Sequence, residues 1–252
     1  MDSIILAPIL GLLVGIVAAF FGIGGGVLFV PILILIFNLP VKSAVGTSLL
    51  AIFITSMSSM VAYTRQKRIV FRVGLIMESA SIPGAILGAY FTTLLPGEYL
   101  RKAFSIFLIF VAFNIMRKKA HSKSIEDKPS VDYNRKNIAQ LLLFSFCAGF
   151  LSATLGIGGG VLNVPIMLLV LHFPIHYAVA TSCFVIVVTS LTGVSQHLRY
   201  SHVEVFYGLS LGFGAVIGAQ IGAQVSRKTA PSTLKKLFAV LLVVTAIRLM
   251  IK

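Results

Sequence analysis

Apolar residues run along this chain in long blocks separated by short polar breaks. A helix needs about 20 mainly apolar residues to cross a hydrocarbon core of roughly 30 Å, and several blocks reach that length. They fall into two sets of five. The first set covers roughly residues 4–21, 26–37, 43–64, 73–95 and 99–117, and the second 138–155, 160–171, 177–198, 206–226 and 233–251. The second block of each set, about 12 residues and roughly 18 Å as a helix, is too short to cross alone. It reads as half of a hairpin or of a broken helix that begins at a run of glycines.

The two sets are copies of one unit. Sliding the chain along itself until Gly22 meets Gly156 aligns Gly22–Ser48 with Gly156–Ser182 without a gap, and 16 of those 27 positions are identical. The shared residues include Gly-Ile-Gly-Gly-Gly-Val-Leu, Val-Pro-Ile, a second proline (Pro40, Pro174), Ala-Val and Thr-Ser. The register continues through Thr55-Ser56 with Thr189-Ser190, Arg65 with Arg199, Gly84 and Gly88 with Gly218 and Gly222, and Leu100 with Leu234. Repeats at fixed spacing define the architecture. The expected fold is an all-α polytopic membrane protein of two repeats, residues 1–118 and 137–252, joined by a basic linker at 119–136.

Parity decides how the copies face. The first two blocks return the chain to its starting side, and three further spans leave each unit ending opposite, so the second copy is expected to be inverted. Homologous loops of inverted copies should exchange their basic character. After the third block the first copy carries Arg65, Lys67, Arg68 and Arg72, where the second has only Arg199 with Glu204. After the fourth block the bias reverses, with Arg101, Lys102 and Glu98 against Arg227, Lys228, Lys235 and Lys236. The Lys- and Arg-rich linker is therefore expected in the cytoplasm and both termini outside, in the plasma membrane of a prokaryote.

Composition agrees: 58% of the 252 residues are hydrophobic, 11% are charged and the mean hydropathy is +1.00. A net charge of +14 would suggest nucleic acid in a soluble chain. Here the bases cluster between apolar blocks, where orientation and anionic lipid require them, so no nucleic-acid partner is expected. The first block lacks the basic start and small-residue cleavage site of a secretory signal and is expected to remain as a span. Cys147 and Cys183 lack metal or redox spacing and read as packing residues, with Cys183 a lesser candidate for the substrate path. No metal or cofactor is expected.

The sharpest chemistry lies in Gly22-Ile23-Gly24-Gly25-Gly26 and Gly156-Ile157-Gly158-Gly159-Gly160, each followed by a short helix. Glycine permits unusual backbone angles, and a helix start offers unpaired N–H groups with partial positive charge that suit an anion. Two such starts facing each other near the bilayer midplane are how many secondary transporters build a site. A packing cluster is the plainer alternative, and a nucleotide-binding fingerprint fails because Val27 breaks its spacing and no strand context follows.

The candidate substrate-binding residues are Gly24, Gly25, Gly26, Gly158, Gly159 and Gly160, with Thr47, Ser48, Thr55, Thr181, Ser182, Cys183 and Thr189 from the third block of each copy. Ser59, Gly193 and Gln196 extend that polar face, and hydroxyl or amide donors can replace part of an anion's water shell. Hydrogen bonding between helices is the alternative for any one of them. Asn163, which stands where the first copy has Phe29, would make the half-sites unequal. Gly84-xxx-Gly88, Gly218-xxx-Gly222, Gly11-xxx-Gly15 and Ser145-xxx-Gly149 read as close helix-packing patterns. Glu78, about five residues from the cytoplasmic end of its block, is a candidate for proton coupling, with snorkelling or pairing to Arg72 as the alternative. His197 is a second candidate relay.

These motifs resemble the sulfite exporter TauE/SafE family of membrane permeases. The resemblance rests on GIGGG followed by VP and a further proline, the AVGTS and AVATS blocks, Arg65 and Arg199, and the PGAxxG block, and it covers nearly the whole chain. It implies a secondary transporter of small sulfur-containing anions such as sulfite, sulfonates or thiosulfate, by alternating access, with proton or ion coupling open. A passive channel, or a carrier of another organic anion, is the alternative; an enzyme is not expected. Where the family often has Val-Asp-Trp after the third block, this chain has Ile69-Val70-Phe71 and Val203-Glu204-Val205 and no tryptophan anywhere.

Overall fold

A computed structural model describes residues 2–91, 109, 112–113, 134–155 and 159–251. The expected block at 99–117 and the linker lie largely outside these residues. The helices are α1 (Asp2–Phe21), α2 (Gly26–Leu35), α3 (Val41–Arg65), α4 (Phe71–Phe91), α5 (Arg135–Leu155), α6 (Gly160–Leu169), α7 (Ile175–Arg199), α8 (Val205–Lys228) and α9 (Pro231–Ile251). Five of them, α3, α4, α5, α7 and α8, are long and apolar enough to cross a membrane. The short helices α2 and α6 have ten residues each, about 15 Å of rise, as their lengths in sequence require. Pro40 and Pro174 stand immediately before α3 and α7, where their fixed φ stops the preceding turn without costing a helical hydrogen bond.

The bundle is apolar on its outside as well as within: Phe213 is 72% exposed, and Leu75 and Leu143 are similarly open. An outer surface of that kind suits hydrocarbon rather than water. The polar side chains are turned inward, with Thr47, Ser48, Thr55, Glu78, Thr181, Ser182 and Thr189 all buried.

Small residues set the helix spacing. A side chain on Gly11 or Gly15 would run into the backbone of Leu211 or Ala215, and one on Gly214, Gly218 or Gly222 into Pro8, Leu12 or Ile16. Residue numbers rise together along this seam, so α1 and α8 are parallel. The seam between α4 and α5 is built alike, with Gly84 on Phe146, Gly88 on Phe150 and Gly149 on Ser81, again parallel. Each of these last three contacts has its counterpart at the matching place in the first seam. The small-xxx-small patterns therefore do what helix packing in lipid asks of them.

At the centre, α3 crosses α7 with opposed numbering: Gly46 meets His197 and Leu49 meets Gly193. Leu50 on Gly208, Ile54 on Gly212 and the Ser58 hydroxyl on the Val216 carbonyl make α3 and α8 parallel. Gly74 on Phe184 and Glu78 on Thr189 do the same for α4 and α7. So α1, α3 and α8 run one way while α4, α5 and α7 run the other. One end of the bundle then collects Arg65, Lys67, Arg68, Arg72, Arg135, Lys136, Arg227, Lys228, Lys235 and Lys236. Lys42 and Arg199 belong to the other end.

The turns repeat too. Asn38 and His172 both have φ 53°, and Lys67 and Ser201 have φ 56° and 53°. The Val70 N–H donates to Thr181 Oγ1 at 3.0 Å and the Glu204 N–H to Thr47 Oγ1 at 2.8 Å, a reciprocal pair in the register of the repeat. Thr181 is the seventh residue of α7, so this bond draws the turn before α4 about 9 Å below the end of α7.

Candidate functional site

Both short helices start at a glycine in the left-handed region, Gly25 at φ 89° and Gly159 at φ 67°, a conformation that a residue with a Cβ adopts only with strain. Their first intrahelical bonds are Leu28 and Phe29 N–H to Gly25 O, and Leu162 and Asn163 N–H to Gly159 O. The N–H groups of Gly26, Val27, Gly160 and Val161 therefore precede the helical ladder, and the positive ends of both helix dipoles lie at the glycine motifs. Gly24 packs between Ile52 and Ile186, each the twelfth residue of a 25-residue helix. The motifs thus sit near mid-height of the two central helices.

They also touch. A Cβ on Gly160 would lie 2.6 Å from Ile23 Cα and 2.7 Å from Gly22 O, so backbone rests on backbone at this point. Ser182 Oγ donates to the Gly22 carbonyl at 2.7 Å and ties α7 to the first motif. Gly158 lies outside the described residues.

The remaining sequence candidates divide by what they hold. The Thr47 and Thr181 oxygens accept the turn N–H groups already described, and Ser48 and Thr55 donate to the carbonyls of Val45 and Ala51 in their own helix. The Cys183 thiol faces Ser59 across the α3–α7 interface and lies close to Tyr63. Cys147, expected to pack, is exposed on the surface of α5. Tyr63 Oη donates to the Ala19 carbonyl at 2.7 Å. The position matching Tyr63 in the second copy is His197, buried beside the Ala153 carbonyl, with neither ring nitrogen in a well-formed hydrogen bond.

Glu78 is deeper than its place in the sequence suggested. Its Oε1 accepts from Thr189 Oγ1 at 2.7 Å, and Thr189 is the fifteenth of 25 residues in α7, close to the level of Ile186. Counting from the end of α4 underestimates the depth because the preceding turn is itself drawn into the bundle. Ser81 Oγ stands 3.2 Å from Thr189 Oγ1, and Glu78 Oε2 is buried without a partner. The structure therefore unites Glu78 with Thr189 and adds Ser81, one turn further along the same face of α4, which its spacing from Glu78 could have disclosed.

Around Gly159, Ser152 Oγ is 3.5 Å and Asn163 Nδ2 3.6 Å from where a Cβ would stand. Both Ser152 Oγ and Asn163 Oδ1 are buried and unpartnered. Ser152 was not singled out from sequence, although the alignment that paired Asn163 with Phe29 also pairs it with Ala18. A separate groove between α1 and α2, lined by Leu13, Val17, Leu28 and Ile32 among others, is apolar and offers an anion little. Among the described residues no group of three His, Cys, Asp or Glu is placed to hold a metal.

Helices that cross a membrane, polar groups turned inward and half-helices starting at mid-depth define a polytopic transporter of the plasma membrane. The chain belongs to the sulfite exporter TauE/SafE family, whose model matches residues 7–249. It is similar to "Probable membrane transporter protein YunE" of Bacillus subtilis, 36% identical over 84% of this chain and 85% of that protein. It is also similar to a protein named a probable membrane transporter in Methanocaldococcus jannaschii, 33% identical over 82% of this chain and 78% of that one. No solved structure matches it. The family's members are transporters, and the chain is a transporter rather than an enzyme.

Proposed function

We propose that the chain is a secondary transporter of small sulfur-containing anions such as sulfite, sulfonates or thiosulfate. It works by alternating access between two inverted repeats. The observation that carries this reading is the pair of half-helices that start at left-handed glycines, at mid-height, against the central isoleucines. Helix starts of this kind supply donors and partial positive charge without a fixed cation, so an anion can bind and leave. The family match supports the sulfur chemistry.

Opposed numbering of α3 and α7, with reciprocal contacts at matched positions of the repeat, supports the inverted arrangement. The collection of basic residues at one end supports placing that end, and the linker, in the cytoplasm with both termini outside. Glu78, hydrogen-bonded to Thr189 near mid-height, is the proposed proton-carrying group; His197, near the opposite end of α7, is the second candidate.

A thermal-shift screen of the purified chain with sulfite, sulfate, thiosulfate, taurine, sulfoacetate and carboxylates tests the substrate class. At least one sulfur anion should raise the melting temperature in a saturable way. Stabilisation by carboxylates alone would move the substrate to the non-sulfur organic anions. Replacing Gly25 or Gly159 by Leu should abolish transport while the protein still inserts; transport at the wild-type rate would remove the half-helices from the mechanism.

A further inference from the structure

The two half-helix starts occupy equivalent places but have different surroundings. At Gly25 an added Cβ would lie 2.9 Å from both Phe29 Cε2 and Val14 Cγ1, and 3.2 Å from Ala18 Cβ, all carbon. At Gly159 the nearest atom would be Ser152 Cβ at 3.4 Å, followed by Ser152 Oγ and Asn163 Nδ2. The residues matching Val14, Ala18 and Phe29 are Ala148, Ser152 and Asn163. Two of these exchanges remove bulk, and two introduce polar groups.

Polar groups buried without partners are costly, and in lipid there is no bulk water to repair them. Ser152 and Asn163 are 2% and 1% exposed, and each leaves an oxygen without a partner beside the start of α6. The Ser152 hydroxyl and the Asn163 Nδ2 group stand beside Gly159, with the N–H groups of Gly160 and Val161 ahead of the ladder, and donors gathered at one helix start point to a ligand that accepts from them. The matching place on α2 is sealed by the Phe29 ring.

We propose that α6 alone carries the anion-binding half-site of this transporter, holding one small oxyanion through its N-terminal backbone and the side chains of Ser152 and Asn163, while Phe29 plugs the half-site of α2. The bound anion lies on the α5 side of the second motif, beside Gly159, rather than between the motifs where Gly160 meets Gly22 and Ile23. This rests on the transporter reading above. The donors are neutral, so binding needs only that the anion be small enough to sit against backbone and present oxygens to a hydroxyl and an amide.

The test is titration calorimetry of the purified full chain with sulfite and with thiosulfate, beside melting curves recorded without ligand. The expected stoichiometry is one anion per chain. Asn163→Leu and Ser152→Ala should each weaken binding about tenfold or more, the loss of one hydrogen bond to a charged group. Phe29→Leu should keep affinity within about twofold. Without ligand, Asn163→Leu should melt at the wild-type temperature or above it, because a buried amide oxygen without a partner has been removed. Two anions per chain, or wild-type affinity in Asn163→Leu and Ser152→Ala, would overturn the half-site while leaving a sulfur-anion transporter standing. A ligand-free melting temperature of Asn163→Leu several degrees below wild type would also overturn it, since that is the mark of a packing residue. If wild type binds neither anion and Asn163→Leu is still the more stable protein, the unmet hydrogen bonds are supported and the sulfur-anion reading falls.

Discussion

Half one and half two of this chain share their close helix contacts and turns and differ in their polar residues. The glycine seams, the left-handed helix starts, the turns at Asn38 and His172 and the threonine clasps at Thr47 and Thr181 occur at matched positions of both halves. Where the halves differ, they differ in polar character: Phe29 against Asn163, Ala18 against Ser152, Glu78 against Gly212, Tyr63 against His197. Duplicated positions are those that fix backbone geometry, because both halves must pack in the same way. Diverged positions are those on which that shared packing places no common demand, and under the proposed function a single substrate needs only one set of them.

The sharpest way to break the comparison is to attack what the halves share. Gly88→Leu and Gly222→Leu each drive a side chain into a carbonyl of the facing helix, Phe150 or Ile16. Each should cost more than about 3 kcal/mol and remove most folded, monodisperse protein by size-exclusion chromatography, and to the same extent. A large effect in one half only would show that the seams are not equivalent. Next comes a position that diverged. Glu78→Gln should reduce accumulation driven by a proton gradient about tenfold or more, measured in proteoliposomes, while exchange of anion for anion persists. Accumulation at the wild-type level would remove Glu78 from coupling.

Smaller effects sharpen the picture. Thr47→Val and Thr181→Val each delete the acceptor for a turn N–H, and each should cost about 1 kcal/mol, nearly equal between halves, in thermal melts. His197→Tyr installs the residue that already serves in half one, where Tyr63 reaches the Ala19 carbonyl. A phenol facing the Ala153 carbonyl should stabilise the protein by about 0.5–1.5 kcal/mol. Destabilisation there would mean that the two positions are not matched.

Much of this was legible in the sequence. Unbroken apolar blocks, gapless repetition and the exchange of basic loops required nothing beyond hydrocarbon thickness and charge. Proline and glycine marked the short helices because both act on the backbone directly. Side-chain partnerships were less legible: nothing local distinguishes Thr181, which holds a turn, from Thr189, which holds Glu78, since their partners lie far away in the other half of the chain. The depth of Glu78 was hidden for the same reason, because a long-range bond between Val70 and Thr181 sets the level of the whole helix. Ser152 lies four residues before the second glycine motif, so the motif itself does not reveal it.

The central claim, a carrier that exposes one sulfur anion alternately to each side, is tested most directly by counterflow. Proteoliposomes loaded with unlabelled sulfite or thiosulfate should take up the radiolabelled anion transiently above equilibrium, with an initial rate that saturates as external anion rises. Uptake that climbs linearly with concentration and shows no overshoot would contradict the account and make the chain a channel.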